Sequence, residues 1–307
     1  MYLPEGLLFE THQNRETIAT LPALQEAKNQ GALVEGRVSL CDSDHNLWVD
    51  LPCCRGVIPR KEGALGIAEG TVRDIALIAR VGKAVCFVVQ EITTDEQGQP
   101  LAILSRRLAQ LRCRTRLLST RRAGDIIDVT ITHLEPFGAF CDIGCGLPSL
   151  IPIDHISVSR IFHPGDRFVV GQQAKAIIKA LEPSGKVHLS HKELLGTWEE
   201  NAARFAVGET VTGIIRTVES YGSFVELAPN LAGLAEPKEG VRAGQQAAVF
   251  IKNMIPEKMK VKLIIVDAFD APHTPPVPSY FYQGSHIRRW CYSPADCYKQ
   301  IETVFEE

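Results

Sequence analysis

No stretch of the 307 residues reaches the roughly 18 consecutive apolar positions that a membrane-spanning helix needs. The opening, "MYLPEGLLFE", lacks both a basic segment and a long apolar run, so it does not read as a secretory signal. The nine cysteines are odd in number, with no C-x-x-C pair and no zinc-type spacing. They are expected to be reduced thiols that pack as small hydrophobes, in a cytoplasmic chain. An excess of positive charge is missing too. The formal net charge is -3, which argues against a nucleic-acid binder driven by a global field and leaves one that works by stacking and local charge. Walker A, G-x-G-x-x-G, G-x-S-x-G, H-E-x-x-H and EF-hand patterns are all absent. His133, His155, His163, His188 and His191 are scattered without metal spacing. No catalytic residue, metal, cofactor or small-molecule substrate is expected, and no membrane partner.

What is present is a repeat. "GALVEGRV" begins at Gly31, "GDIIDVTI" at Gly124 and "GETVTGII" at Gly208, so units start 93 and 84 residues apart. Each Gly-led strand is followed by a second: "NLWVDL" (46–51), "GAFCDI" (138–143) and "GSFVEL" (222–227). Strand alternation puts Trp48 with Asp50, Phe140 with Asp142 and Phe224 with Glu226 on one face, expected to be the wet one. Val49 and Leu51, Cys141 and Ile143, Val225 and Leu227 take the other, core-facing side. Further short strands follow in each unit, closing with "PLAILSRR" (100–107), "GKVHLSHK" (185–192) and "MKVKLIIV" (259–266), the last two with lysines outward. About five short strands per unit argue for small β-barrels, and a partly open five-stranded barrel is the OB-type architecture. An outer aromatic beside lysines makes a platform on which bases stack for roughly 1–3 kcal/mol each, whatever their identity.

These residues resemble the S1 RNA-binding domain, the module repeated in ribosomal protein S1. The resemblance rests on "FGAF", "SLIP" and "GKVHLSHKE" in the second repeat and on "YGSF" in the third, and spans about residues 31–266. The first repeat diverges, with "HNLW" in the aromatic motif. The fold implied is all-β: tandem five-stranded OB-fold barrels of S1 type with short linking and terminal helices. The RNA-binding positions implied are Phe137, Phe140 and Lys186, then Tyr221, Phe224 and Lys260, with Trp48 in the first repeat, where His45 takes the other aromatic place. The family's loop histidine is replaced by Pro152 and Glu236, and its acid before the last strand falls on Glu182 and on Pro256.

The organisation expected is an N-terminal helical segment (1–30), a divergent S1-type domain (31–105), an Arg-rich linker helix (106–123), a second S1-type domain (124–195), a linker helix (196–207), a third S1-type domain (208–267), and a Pro-rich connector with a C-terminal appendage (268–307). A helix near Arg15–Asn29, broken at Pro22, is expected to cap the first barrel. The linker helix holds seven arginines and no acid, with Leu108, Leu111 and Leu118 on one side. Its Arg106, Arg107 and Arg112, with Arg160 and Arg167 of the second repeat's long loop, are candidate phosphate contacts. Solvated or acid-paired arginines are the alternative. In the tail, "SPADCYKQIETVFEE" reads as a short helix with Ser293 as N-cap. The expected function is capture of single-stranded RNA, with mRNA in translation as the expected strand and the small ribosomal subunit as a candidate partner. The alternatives are a protein-interaction scaffold and an RNA-decay or stress regulator using the same barrels.

Overall fold

In the first repeat Val34, Val38, Leu47 and Val49 occupy alternate strand positions, and all four side chains are buried. The same alternation recurs in Val129 and Ile131, and in Val249 and Ile251. Each repeat therefore owns an inside, and each closes on itself. The computed structural model, which describes residues 2–272, 275 and 277–305, contains three closed five-stranded barrels. The chain divides into two compact units, residues 1–121 with 142–148, and residues 122–141 with 149–307.

In the first unit, helix α1 (His12–Ala19) starts at Thr11 and helix α2 (Leu21–Gln30) at Thr20; each threonine hydroxyl accepts a backbone N–H of the first turn. The helix expected over this region does break, but at Thr20. Pro22 lies in the first turn of α2, where a missing N–H costs nothing. Ile18, Leu24 and Ala27 join the barrel core. The barrel comprises β1 (Val34–Cys41), β2 (Leu47–Leu51), β3 (Cys54–Ile58), β4 (Ala84–Thr94) and β5 (Pro100–Ser105), in the order β1-β2-β3-β5-β4. A one-turn helix α3 (Ile75–Ile78) sits in the long loop before β4. Helix α4 (Arg106–Thr120) follows β5, with the Ser105 hydroxyl accepting from Leu108 N. Its buried side is Arg106, Ala109, Gln110, Cys113 and Leu117, whereas Leu118 is exposed.

In the second unit, β6 (Ile126–Glu135), β7 (Gly138–Asp142), β8 (Pro148–Pro152), β9 (Gln173–Leu181) and β10 (Val187–Ser190) form the second barrel, although the β7–β8 turn, residues 142–148, groups with the first unit. A five-residue helix α5 (Trp198–Ala202) is held by a capping box between Thr197 and Glu200. The third barrel is β11 (Thr210–Glu219), β12 (Gly222–Ala228), β13 (Leu231–Ala235), β14 (Gln246–Ile255) and β15 (Lys260–Phe269), in the order β11-β12-β13-β15-β14. The tail adds β16 (Arg289–Cys291), antiparallel to β17 (Glu302–Val304).

The helix expected after Ser293 does not form among the described residues. Ser293 Oγ accepts the Ile301 N–H at 2.9 Å instead of capping a first turn, and Tyr292 N–H donates to the Ile301 carbonyl at 2.8 Å. Trp290 and Tyr292 are buried in the core shared by the second and third barrels, and that burial outweighs the weak helix preference of a short segment. Glu306 and Glu307 of that stretch lie outside the described residues, as do His273, Thr274 and Pro276 of the Pro-rich connector and Met1 of the N-terminal segment.

Candidate nucleic-acid interface

The aromatic motif is built around a glycine that must lie close to the next strand. At Gly222, with φ +145°, a Cβ would come within 2.2 Å of the Ala235 carbonyl oxygen. At Gly138 it would meet the Ile151 carbonyl oxygen at 2.6 Å. Strand two can therefore start tightly against strand three, with one aromatic just before the glycine and another two residues after it.

In the third barrel Tyr221 is 61% exposed and Phe224 37%, with ring centroids 6.4 Å apart and edge-to-face. The register runs Thr217, Phe224, Leu234, Lys262 across neighbouring strands. These residues share one outward row, since directly paired positions point to the same face. A groove of about 490 Å³ is lined by Tyr221, Phe224, Leu234, Glu236, Lys260 and Lys262. Lys260 and Lys262 are both exposed, while Lys252 is paired with Glu236 at 2.7 Å. Lys262 was legible as an outward lysine of "MKVKLIIV"; its place on the row of Phe224 needed the register.

In the second barrel Phe137 is 56% exposed and Phe140 half-buried, again edge-to-face, at 5.9 Å. His133 adds a third ring, 6.2 Å from Phe140. Lys186 is exposed near the start of β10. His188, paired with Leu150 of β8, bonds Glu182 at 2.6 Å and holds that carboxyl below its ordinary range. His133 and His188 were passed over in the sequence because lone histidines carry no spacing signal.

The first barrel differs. Trp48 lies on a row with Leu40, Val57 and Ile103. Its indole N–H donates to Asp42 at 3.0 Å, and the Arg55 guanidinium sits 4.4 Å from its ring centroid. The edge and one face of this aromatic are thus already engaged by its own chain.

Two expectations are corrected. The acid beside the aromatic does not face water in the second and third repeats. Asp142 is 5% exposed and accepts backbone N–H groups from Glu5, Gly144 and Gly146, and burial pushes its carboxyl up to about 7. Glu226, 6% exposed, bonds Arg167 at 2.6 Å and Arg216 at 2.8 Å. Loop residues of the second barrel cover that end of β12, so Phe224 and Glu226 share a strand face but not an environment. The second correction concerns arginines. Arg167 is buried on Glu226, and Arg106 is buried on Glu5 at 2.6 Å, so neither can reach a phosphate. Arg107 pairs with Glu62 at 2.8 Å, and Arg112 donates to the Gly31 carbonyl at 2.6 Å. Arg160 stays on the surface, 5.6 Å from the Phe162 ring. Among the described residues no group of histidines, cysteines or acids has metal-holding geometry, and no helix is long and apolar enough to cross a membrane.

The S1 RNA binding domain family matches residues 120–192. The chain is 28% identical over 233 residues to a small ribosomal subunit protein bS1 of Leuconostoc lactis, covering 71% of this chain and 52% of that protein. It is 27% identical over 277 residues to the bS1 protein of Staphylococcus aureus, covering 85% of this chain and 68% of that one. The chain thus spans about half the length of the first relative and two thirds of the second. Among solved structures, a multidomain protein with nucleic acid binding domains from Streptococcus pneumoniae aligns over 77% of this chain and 74% of its own, at 13% identity and a TM-score of 0.25, too low to bear on architecture.

Proposed function

Because the chain is an S1-family protein with tandem S1-type barrels, we propose that it binds single-stranded RNA through the outer faces of its second and third barrels. The observation that carries this reading is the repetition of one geometry. Phe137 with Phe140, and Tyr221 with Phe224, present edge-to-face pairs at equivalent positions, each on a barrel with exposed lysine at its last strand. An exposed ring stacks on any base, and the lysines neutralise the phosphates alongside, so binding is tolerant of sequence. The relatives' name, small ribosomal subunit protein bS1, supports the small ribosomal subunit as the site of action, and mRNA is the strand proposed there.

The test is fluorescence anisotropy of an unstructured RNA with wild type and with Phe140→Ala plus Phe224→Ala. Each lost stack is expected to weaken binding by about 1–3 kcal/mol. Affinity untouched by the double variant removes the platform from the reading, and no RNA binding at low salt removes the reading itself.

The first barrel supports a second role, as a protein contact. Trp48 is engaged by Asp42 and Arg55, and its row holds Leu40, which is 50% exposed, with Val57 and Ile103 and no lysine. Leu40→Lys is expected to leave RNA affinity unchanged and to weaken co-purification with ribosomal subunits; a loss of RNA affinity instead would assign this barrel to RNA.

A further inference from the structure

The second unit contains a cavity of about 250 Å³, away from the aromatic faces, lined among others by Arg167, His191, Asn201, Arg204, Leu227 and Phe281. Two of these side chains, Arg167 and His191, are almost wholly buried, and each has a nitrogen with no hydrogen-bond partner among the described residues: Nε of Arg167 and Nε2 of His191. Buried polar atoms are nearly always paired, so two orphans on residues that line one cavity call for an explanation.

Their chemistry is fixed by their surroundings. Nδ1 of His191 lies 2.9 Å from the Ile156 carbonyl, which can only accept, so Nδ1 carries the proton. Burial pushes the imidazolium pKa down to about 4, so the ring is neutral and Nε2 offers a lone pair. Arg167 uses Nη2 on Glu226 at 2.6 Å and Nη1 on the Asp166 carbonyl at 3.2 Å, which leaves Nε–H as a donor. Arg167 and Arg216 are balanced by Glu226 and Asp166, so the buried part of the site carries no net charge. The exposed Arg204 guanidinium, also lining the cavity, lies 4.3 Å from the Phe281 ring centroid. Gly196, with φ +84°, leaves room for that ring, because a Cβ there would come within 2.7 Å of it.

A fitting ligand is flat and apolar on its faces. It offers an N–H beside an acceptor on one edge, and it carries negative charge where it meets Arg204. Every nucleobase has such an edge, and its phosphate supplies the charge. We propose that this cavity is a nucleobase site, taking the base of a mononucleotide or of an RNA residue with its edge on His191 and Arg167 and its phosphate toward Arg204. The site uses none of the stacking residues, and only its RNA-borne form rests on the RNA-binding reading.

The experiment titrates the full chain with AMP, with UMP and with a short unstructured RNA, using wild type, His191→Phe and Arg204→Gln. Phenylalanine keeps a ring between Phe168 and Tyr280, whose centroids lie 5.0 and 5.7 Å from that of His191, and removes only the ring nitrogens. Arg204 is exposed, so its variant tests the site without threatening the fold. If free nucleotides are the ligand, AMP or UMP binds, and affinity falls roughly tenfold or more in His191→Phe, the scale of one lost buried hydrogen bond. If an RNA base is the ligand, mononucleotides do not bind and RNA affinity falls by a similar factor in both variants. The Phe140→Ala, Phe224→Ala double variant separates the readings, since it weakens RNA and leaves mononucleotide affinity unchanged. A wild type that binds AMP but no RNA sinks the RNA reading and keeps the cavity site. Mononucleotides that do not bind, together with both variants binding RNA as wild type does, overturn the proposal.

Discussion

Arg106 and Arg160 look alike in the sequence, as basic residues in polar surroundings, yet one is interior and the other surface. The difference lies in a partner 101 residues away, Glu5, whose carboxylate receives two guanidinium N–H groups of Arg106 and the backbone N–H of Cys86. Arg106→Met is therefore expected to destabilise the first unit by about 3–5 kcal/mol, the cost of stranding a buried charge. RNA affinity should change less than about twofold, since a side chain this buried contributes no backbone neutralisation. Denaturant unfolding and RNA titration of one preparation check both halves. The same pocket holds Glu35, which accepts the N–H groups of Gly6 and Leu8, and burial raises it to about 7, as it does Asp142. Both folded values exceed the unfolded ones, so the folded state holds protons that the unfolded state has released. Their stabilising contribution is full below about pH 4 and is lost as pH rises through about 7. The first unit should thus be more stable at pH 5 than at pH 8, by on the order of 1–3 kcal/mol per group, and Glu35→Gln should flatten the slope. A stability that rises over that window would contradict the assignment. The exposed aromatics were legible because their motif is local. The buried arginines were not, because nothing near them in sequence names Glu5 or Glu226.

At the scale of the element, glycine and threonine spoke clearly and side-chain stripes did not. The "YGSF" and "FGAF" turns follow from backbone approach at Gly222 and Gly138, a constraint carried by the residue itself. Gly222→Val forces a β-branched residue into a left-handed conformation against the Ala235 carbonyl. It is expected to cost at least about 1–3 kcal/mol of stability and to displace Tyr221 and Phe224 together. Thermal unfolding should then show a weakened second unit, and RNA affinity should fall with it; a variant that unfolds and binds like wild type would mean the turn is looser than drawn. The buried side of α4 is not marked by its leucines, since Leu118 is exposed. Ala109, Gln110 and Cys113 are small or polar enough to lie against a surface dominated by hydrogen bonds, such as Gln110 to Gly146 at 2.9 Å. The tail failed for a related reason: Ser293 and Pro294 signal a cap, but Trp290 and Tyr292 anchor the segment to the barrels, and the backbone follows the anchors.

Over the whole chain, three five-stranded barrels were readable from Gly-led starts at 31, 124 and 208, because alternation and turn chemistry repeat with them. The division into two units was not readable. It turns on residues 142–148, whose Cys145 N–H donates to the Leu3 carbonyl at 2.8 Å and whose Cys145 thiol lies 3.5 Å from that of Cys86. Those are contacts between segments with no shared motif. With Arg106, Arg107 and Arg112 of the linker region committed to the fold, the cations beside the aromatic faces are lysines, and this has a measurable consequence. Lys186, Lys260 and Lys262 are the exposed lysines of the two faces described. Neutralising one phosphate of a single strand contributes a slope of about -0.7 to log K against log salt, so three lysines give a slope of about -2. A chain of net charge -3 adds no favourable long-range field to steepen it. RNA titrations across a salt series are expected to give that shallow slope, reduced by about 0.7 in Lys262→Met. A slope near -5 or steeper would shift the contact from the stacking faces to a cationic surface such as the exposed side of α4. A slope that Lys262→Met leaves unchanged would place the strand away from the Phe224 row.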